Sequence, residues 1–284
     1  MKQKITQAVI LAAGMGSRLK ELNKGAPKGF IRLGDISIIE HSIKALFACG
    51  IEEIIIVTGY MDEHYENLSV QYPQIKTVRN EKFSETGTMY SLWCARNLIS
   101  ADFILLESDL IFEIKAIQEI IESSYDDCIL ISGKTEAGDE VFVSAEGNVV
   151  KKISKDRALL DSITGEFVGI SKISNDFYQL MIQLAEDRFK SNLKINYDMD
   201  CFVTVSEIRH LGYLKIENLL WAEIDNEAQL NNAYLNHADL AGANLKSTLN
   251  LTTEQIETAF IDQETLLPDS IPIIWISKTE YEFK

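Results

Sequence analysis

The chain has 284 residues, of which 46% are hydrophobic and 25% charged, with a net charge of −16 and a pI near 4.7. That composition supports a sizeable core and excludes a disordered chain, and so acidic a surface argues against nucleic acid or an anionic membrane as partner. Four cysteines without paired spacing (Cys49, Cys94, Cys128, Cys201) point to reduced core residues, no apolar run is long enough to cross a membrane, and Met1-Lys2-Gln3-Lys4 leads into the first strand without a signal peptide, so a cytoplasmic protein is expected.

Ala8-Val9-Ile10-Leu11 is a continuous apolar run, as in a strand buried on both faces of a parallel sheet. It runs into Ala12-Ala13-Gly14-Met15-Gly16-Ser17-Arg18, where glycines let backbone N–H groups approach a phosphate. A helix starting near Ser17 adds partial positive charge, Arg18 can fork onto phosphate oxygens, and Lys28 behind Pro27 supplies a second cation. The pattern reads as a nucleoside triphosphate grip. It lacks the third glycine of a dinucleotide fingerprint and the Gly-Lys-Ser/Thr of a P-loop, so an ordinary tight strand-to-helix turn is the competing reading.

Residues 35–49 show helical periodicity, with Ile39, Ile43, Leu46 and Phe47 on one face and Gly50 as a C-cap. Ile54-Ile55-Ile56-Val57-Thr58-Gly59-Tyr60 reads as a buried strand reaching a loop. A helix with Tyr65 and Leu68 and a strand around Ile75-Lys76-Thr77-Val78 follow. This alternation predicts a parallel, doubly wound α/β sheet whose ligands sit beyond the carboxyl ends of its strands. Glu85-Thr86-Gly87-Thr88-Met89-Tyr90 enters a helix and offers caps and free N–H groups. Phe103-Ile104-Leu105-Leu106-Glu107-Ser108-Asp109 is a buried strand ending in a carboxylate. Asp109 there is a natural Mg²⁺ ligand or, alternatively, a helix N-cap, and strand alternation points Glu107 the other way.

Later segments change style. Residues 141–153 predict a hairpin about Gly147, followed by a strand over 165–171 and an amphipathic helix over 175–190. One of Lys151, Lys152 and Lys155 is a candidate to reach a transferred phosphate. Tyr197-Asp198-Met199-Asp200 sets two acids beside an aromatic. Leu220-Trp221-Ala222-Glu223-Ile224-Asp225 is a short strand ending, like the earlier one, in an aspartate. The four histidines lie outside every motif. In the tail, Ala228-Gln-Leu230, Ala233-Tyr-Leu235, Ala238-Asp-Leu240 and Ala243-Asn-Leu245 recur every five residues, a period that fits neither helix nor strand.

Residues 11–19 followed by Pro27-Lys28 resemble the signature loop of the nucleotidyltransferases that make NDP-sugars and CDP-alcohols. The resemblance covers about residues 5–235 and implies a doubly wound, mostly parallel Rossmann-like sheet of the nucleotide-diphospho-sugar transferase type. It implies that Leu11, Ala12, Ala13, Gly14, Gly16 and Ser17 wrap the triphosphate while Arg18 and Lys28 hold its charge. It further implies that Thr86, Gly87 and Thr88 read base and ribose, and that Asp109 and Asp225 bind Mg²⁺. The expected domains are a catalytic domain over 1–235 and an accessory segment over 236–284. The latter resembles pentapeptide repeats and is a candidate for docking or homo-oligomerisation.

The reaction so implied is attack of an acceptor phosphate on the α-phosphorus of an NTP, with pyrophosphate leaving. Residues 86–92 and 165–170 look most like enzymes making CDP-choline or CDP-linked aminoalkyl phosphonates, so CTP and a small phosphorylated or phosphonate acceptor are the expected partners. An ammonium group calls for carboxylates and aromatic faces. Glu166, Asp198 and Asp200, with Tyr90, Tyr197 and Trp221, are the candidates; the competing reading makes the aromatics core and the acids solvated. A sugar-phosphate acceptor is the alternative enzyme reading. A non-catalytic nucleotide-binding regulator or scaffold would be favoured by loss of Lys28 or either aspartate, and all three are present.

Overall fold

The computed structural model describes residues 4–16, 25–33, 36–135, 138, 140–224, 245–246, 253–257 and 261–284. Two compact units divide the chain, Met1–Glu223 and Ile224–Lys284. In the first, chain order runs through β1 (Gln7–Ala12), a 3-10 turn (Lys28–Phe30), β2 (Arg32–Leu33), β3 (Ile36–Ser37), α1 (Ile38–Ala48), β4 (Glu53–Thr58), α2 (Glu63–Gln71) and β5 (Ile75–Arg79). It continues with α3 (Thr88–Cys94), β6 (Phe103–Glu107), β7 (Leu110–Phe112), α4 (Lys115–Glu122), β8 (Cys128–Ser132), β9 (Phe142–Glu146), β10 (Val149–Ser154) and β11 (Gly165–Ile173). Then come α5 (Asn175–Arg188), a π-helical turn (Tyr197–Phe202), α6 (Val203–Ser206), β12 (Gly212–Ile216) and β13 (Trp221–Glu223).

The central sheet has nine strands in the path β10-β9-β11-β6-β1-β4-β5, with β8 beside β11 and β12 beside β8. β1 pairs in parallel with both β4 and β6, and β4 with β5. β11 runs antiparallel to β6, β8 and β9, which turns the second half of the sheet into a mixed one. β1 is buried at every position, as its unbroken apolar sequence requires of a strand covered on both faces. One core face gathers α3, α5 and the π-turn over Val9, Leu105 and Phe167; the other gathers α1, α2 and α4 over Ile10, Ile56 and Leu106.

Local chemistry fixes these elements. Ser37 and Glu40 form a reciprocal capping box that starts α1, and this bonding lowers the Glu40 carboxyl pKa. Ile39, Ile43 and Leu46 are fully buried, each stabilising the fold by about 1.5–3 kcal/mol, while Phe47 packs at the edge of the same core. Gly50 adopts φ +85° and ends the helix, as expected. The hairpin β9–β10 turns at Gly147. Cys128 and Cys201 are buried and all four cysteines are free.

The second unit contains α7 (Thr253–Glu257) and the antiparallel pair β14 (Ile273–Trp275) and β15 (Tyr281–Phe283), with Ile256, Ile261 and Ile271 as its small core. The five-residue repeats at 228–245 and the expected boundary at 235/236 fall outside the described residues, apart from Leu245. Among the described residues no helix is long and apolar enough to cross a membrane.

Candidate active site

The carboxyl ends of β1, β4 and β6 lie side by side, and Lys28 and Asp109 meet beyond them. Leu11 and Ala12 are buried in β1, and the Ala13 carbonyl accepts a hydrogen bond from the Tyr60 N–H at 3.3 Å, joining the glycine loop to the end of β4. Gly14 is exposed with open space about it. Gly16 has φ +53°, and a Cβ there would stand 3.2 Å from Lys28 Cβ, so glycine allows both the turn and the close approach of the lysine. Ser17 and Arg18 lie outside the described residues, as does Asp225.

Lys28 sits on the 3-10 turn after Pro27, and its Nζ donates to Asp109 Oδ2 at 2.5 Å with both side chains largely buried. The second oxygen, Asp109 Oδ1, is buried with no hydrogen-bond partner among the described residues. Carboxylate oxygens of Glu107, Asp109 and Glu223 lie within 4.8 Å of one another. Strand alternation would have sent Glu107 to the opposite face. It fails because β6 ends at Glu107 and Ser108-Asp109 form a turn, which swings both acids to the same place. Glu223 arrives from over a hundred residues away through the pairing of β13 with β7, in which Glu223 opposes Leu110. Neither Glu107 nor Glu223 stood out in sequence as a site residue. The clue to Glu223 was its place in the strand that ends at Asp225, two residues on.

Crowding sets the electrostatics. Burial, then the charges of Asp109, Glu223 and Asp198, push the Glu107 carboxyl well above the ordinary carboxylate range. Its hydrogen bond from the Tyr197 hydroxyl, 2.9 Å, opposes that shift. Burial likewise raises Asp198, opposed in part by the nearby charge of Lys155. Lys151 instead faces Glu146 at 3.7 Å, and Lys152 is exposed. Three carboxylates therefore crowd together beside Lys28, which pairs with Asp109. Hard oxygen donors and the orphaned Asp109 Oδ1 fit a divalent cation such as Mg²⁺, which would favour the ionised form of Glu107.

The segment 85–92 is held differently from expectation. The N–H groups of Gly87 and Met89 are not free: they donate to the carbonyls of Leu193 (2.8 Å) and Ile195 (3.2 Å). The contact is close enough that a Cβ on Gly87 would fall 2.2 Å from the Ile195 oxygen, so only glycine fits. The Thr86 hydroxyl donates to the Lys82 carbonyl and accepts from Asn80, a fully buried residue that also donates to Ser91. Thr88 Oγ1 accepts the Tyr197 N–H at 3.2 Å.

The acceptor candidates divide into two groups. Asp198 and the Tyr197 hydroxyl face the carboxylate cluster. The Tyr197 ring is fully buried against Phe167 and Phe202, so it presents no open face, contrary to the role of its ring expected from sequence. Trp221 is half-buried on β13, its indole N–H buried without a hydrogen-bond partner among the described residues. Asp200 accepts the Asn196 N–H at 2.7 Å and closes the π-turn. The Tyr90 ring packs on Trp93 and Phe189. Glu166, buried on β11, accepts both the N–H and the hydroxyl of Thr135. It lines a cavity of about 310 Å³ with Lys134, Arg157, Lys215 and Glu217, roughly 10 Å along the strand from Gly169, which neighbours Glu107.

A doubly wound sheet with a glycine loop, a lysine and a cation-seeking carboxylate cluster at its carboxyl edge defines an α/β nucleotide-dependent transferase. A family model for the MobA-like NTP transferase domain matches residues 8–163, just over half of the chain. The chain belongs to that family and is a nucleotidyltransferase. It is 30% identical over 232 residues to the 2-aminoethylphosphonate cytidylyltransferase of Lancefieldella rimae, covering 79% of this chain and 90% of that one. It is 25% identical over 235 residues to the choline-phosphate cytidylyltransferase of Streptococcus pneumoniae, covering 75% and 98%. In fold it is similar to the inositol-1-phosphate CTP transferase from T. maritima, with a TM-score of 0.69 at 21% identity over 81% of this chain and 94% of that chain.

Proposed function

We propose that the protein is a Mg²⁺-dependent cytidylyltransferase that moves CMP from CTP to a small phosphate or phosphonate bearing an amine, such as phosphocholine, phosphoethanolamine or 2-aminoethylphosphonate. The observation that carries this reading is the gathering of carboxylates: Asp198 acts on Glu107, which meets Asp109 and Glu223. A phosphate-only site would call for the opposite balance. Acids beyond those needed for one cation suit an ammonium head group, and the two cytidylyltransferase relatives act on acceptors that carry one.

In the proposed reaction an acceptor oxygen forms a bond to the α-phosphorus as the bond from that phosphorus to the β-bridging oxygen breaks and pyrophosphate departs. The attacking oxygen is already anionic near neutral pH, so no general base is needed and catalysis consists of aligning two anions. Gly14 and Gly16 leave the loop backbone open to the triphosphate, and Lys28 supplies positive charge to it; Arg18 is proposed as its second cation. Thr86, Gly87 and Thr88 form the rim proposed to meet the base. Asp109 with Glu107, Glu223 and, in this proposal, Asp225 would hold a Mg²⁺, which would supply positive charge against the repulsion between triphosphate and acceptor.

Pyrophosphate release tests the reading. CTP, UTP, dTTP, ATP and GTP would each be offered with phosphocholine, phosphoethanolamine, 2-aminoethylphosphonate, glucose-1-phosphate and inositol-1-phosphate. Turnover confined to CTP with an amine-bearing acceptor is expected. Turnover only with a sugar or inositol phosphate would keep the fold and overturn the ammonium pocket.

A further inference from the structure

Tyr197 opens the π-helical turn Tyr197–Phe202, a rare geometry that mostly survives where function needs it. Its ring is fully buried, wedged edge-on against Phe167 and Phe202. Both ends of this rigid side chain and backbone unit are tied. The backbone N–H donates to Thr88 Oγ1 at 3.2 Å, and the hydroxyl donates to Glu107 Oε1 at 2.9 Å. A buried tyrosine hydroxyl needs a partner, and any nearby carbonyl would satisfy it. Here the partner is a carboxylate of the cation-seeking cluster.

We propose that Tyr197 is a positioning residue for the cation: its hydroxyl holds one Glu107 oxygen so that the carboxylate cannot rotate out of the cluster with Asp109 and Glu223, and its backbone couples that geometry to the segment 86–88. The inference rests on reading Glu107, Asp109 and Glu223 as a divalent-cation site. Partners of this kind orient metal ligands, and their loss typically costs about 10–100-fold in metal affinity or activity. Thr88 and Glu107 lie on separate elements, α3 and β6, and Tyr197 bonds to both. Nucleotide recognition and cation geometry therefore share one bridge.

The test uses the full chain and Mn²⁺ as probe, counted by the electron paramagnetic resonance of the free ion, with and without CTP. Tyr197→Phe keeps the ring and removes only the hydroxyl. It is expected to weaken Mn²⁺ binding about ten-fold and to lower kcat at saturating Mg²⁺ while the KM for CTP moves by less than about two-fold. In a Glu107→Gln background the same change is expected to add nothing, because its effect passes through that carboxylate. Unchanged Mn²⁺ binding in Tyr197→Phe, or losses that simply add in the double variant, overturn the inference alone. Should Tyr197→Phe fail to fold, Thr88→Val cuts the other tether and is expected to weaken Mn²⁺ binding two- to three-fold; no change there overturns the coupling. A wild-type protein that binds no Mn²⁺ overturns the cation-site reading and the inference with it.

Discussion

Two acid-bearing places in the first unit invite comparison. Around Glu166 acids and bases are interspersed: Glu166 takes two hydrogen bonds from Thr135, Lys215 pairs with Glu217 at 2.7 Å, and Lys134 and Arg157 line the same cavity. At the Glu107, Asp109 and Glu223 cluster like charges crowd together: three carboxylates meet, Lys28 pairs with Asp109, the second Asp109 oxygen has no hydrogen-bond partner among the described residues, and Glu107 is pushed toward its protonated form. The number of acids does not by itself mark a site. Like charges crowded together out of water do, because a fold gains nothing by holding them there.

Asp109→Asn should break the comparison most severely. Removing the carboxylate that joins Lys28 to the cluster is expected to reduce turnover by about 100- to 1,000-fold, as loss of a principal electrostatic element does. Loss of the charged partner of Lys28 is offset by relief of like charge at Glu107, so the melting temperature should fall less than in Lys28→Met. A steady-state assay beside a thermal melt checks both.

Lys28→Met should come next, for the opposite reason. It strips the cluster of the lysine paired with Asp109, so stability should fall as well as activity. Breaking a largely buried pair costs about 3–5 kcal/mol, which calorimetry would read as a markedly lower melting temperature, and Mg²⁺ should restore part of it.

The pH dependence is smaller. In the unfolded chain Glu107 ionises near 4.5, whereas the folded, cation-free protein holds it protonated to higher pH. The folded state binds the extra proton, so this contribution to stability is present below 4.5 and is lost as pH rises through the raised folded value. As pH rises above 4.5 the metal-free wild-type melting temperature should therefore fall further than that of Glu107→Gln. Saturating Mg²⁺ should erase the difference.

Glu166→Gln should have the least effect. Its oxygen still accepts from Thr135, and turnover should stay within about three-fold, with any change confined to the KM of the acceptor. A larger loss would place the acceptor in the 310 Å³ cavity and erase the contrast between the two regions.

Much of this was legible in the sequence. Unbroken apolar strands, glycine punctuation and helix periodicity carry the parallel half of the sheet, since each is a local signal. Lys28 and Asp109 were legible for the same reason, one behind a proline and one at a strand end. Glu107 was misassigned because a two-residue turn cancels strand alternation. Glu223 depends on a pairing of β13 with β7 that no local pattern announces. The threonines at 86 and 88 were legible as polar positions, but not as groups already bonded to Asn80 and Tyr197, because those partners come from separate elements.

In the proposed function the carboxylate left beside the cation cluster, Asp198, meets a cationic acceptor. The most direct measurement compares kcat/KM for phosphocholine with that for its tert-butyl analogue, in which carbon replaces the charged nitrogen at nearly unchanged shape. The account predicts a loss of about 100-fold with the neutral analogue, the effect of leaving buried acids unpaired. Equal rates for the two would contradict it.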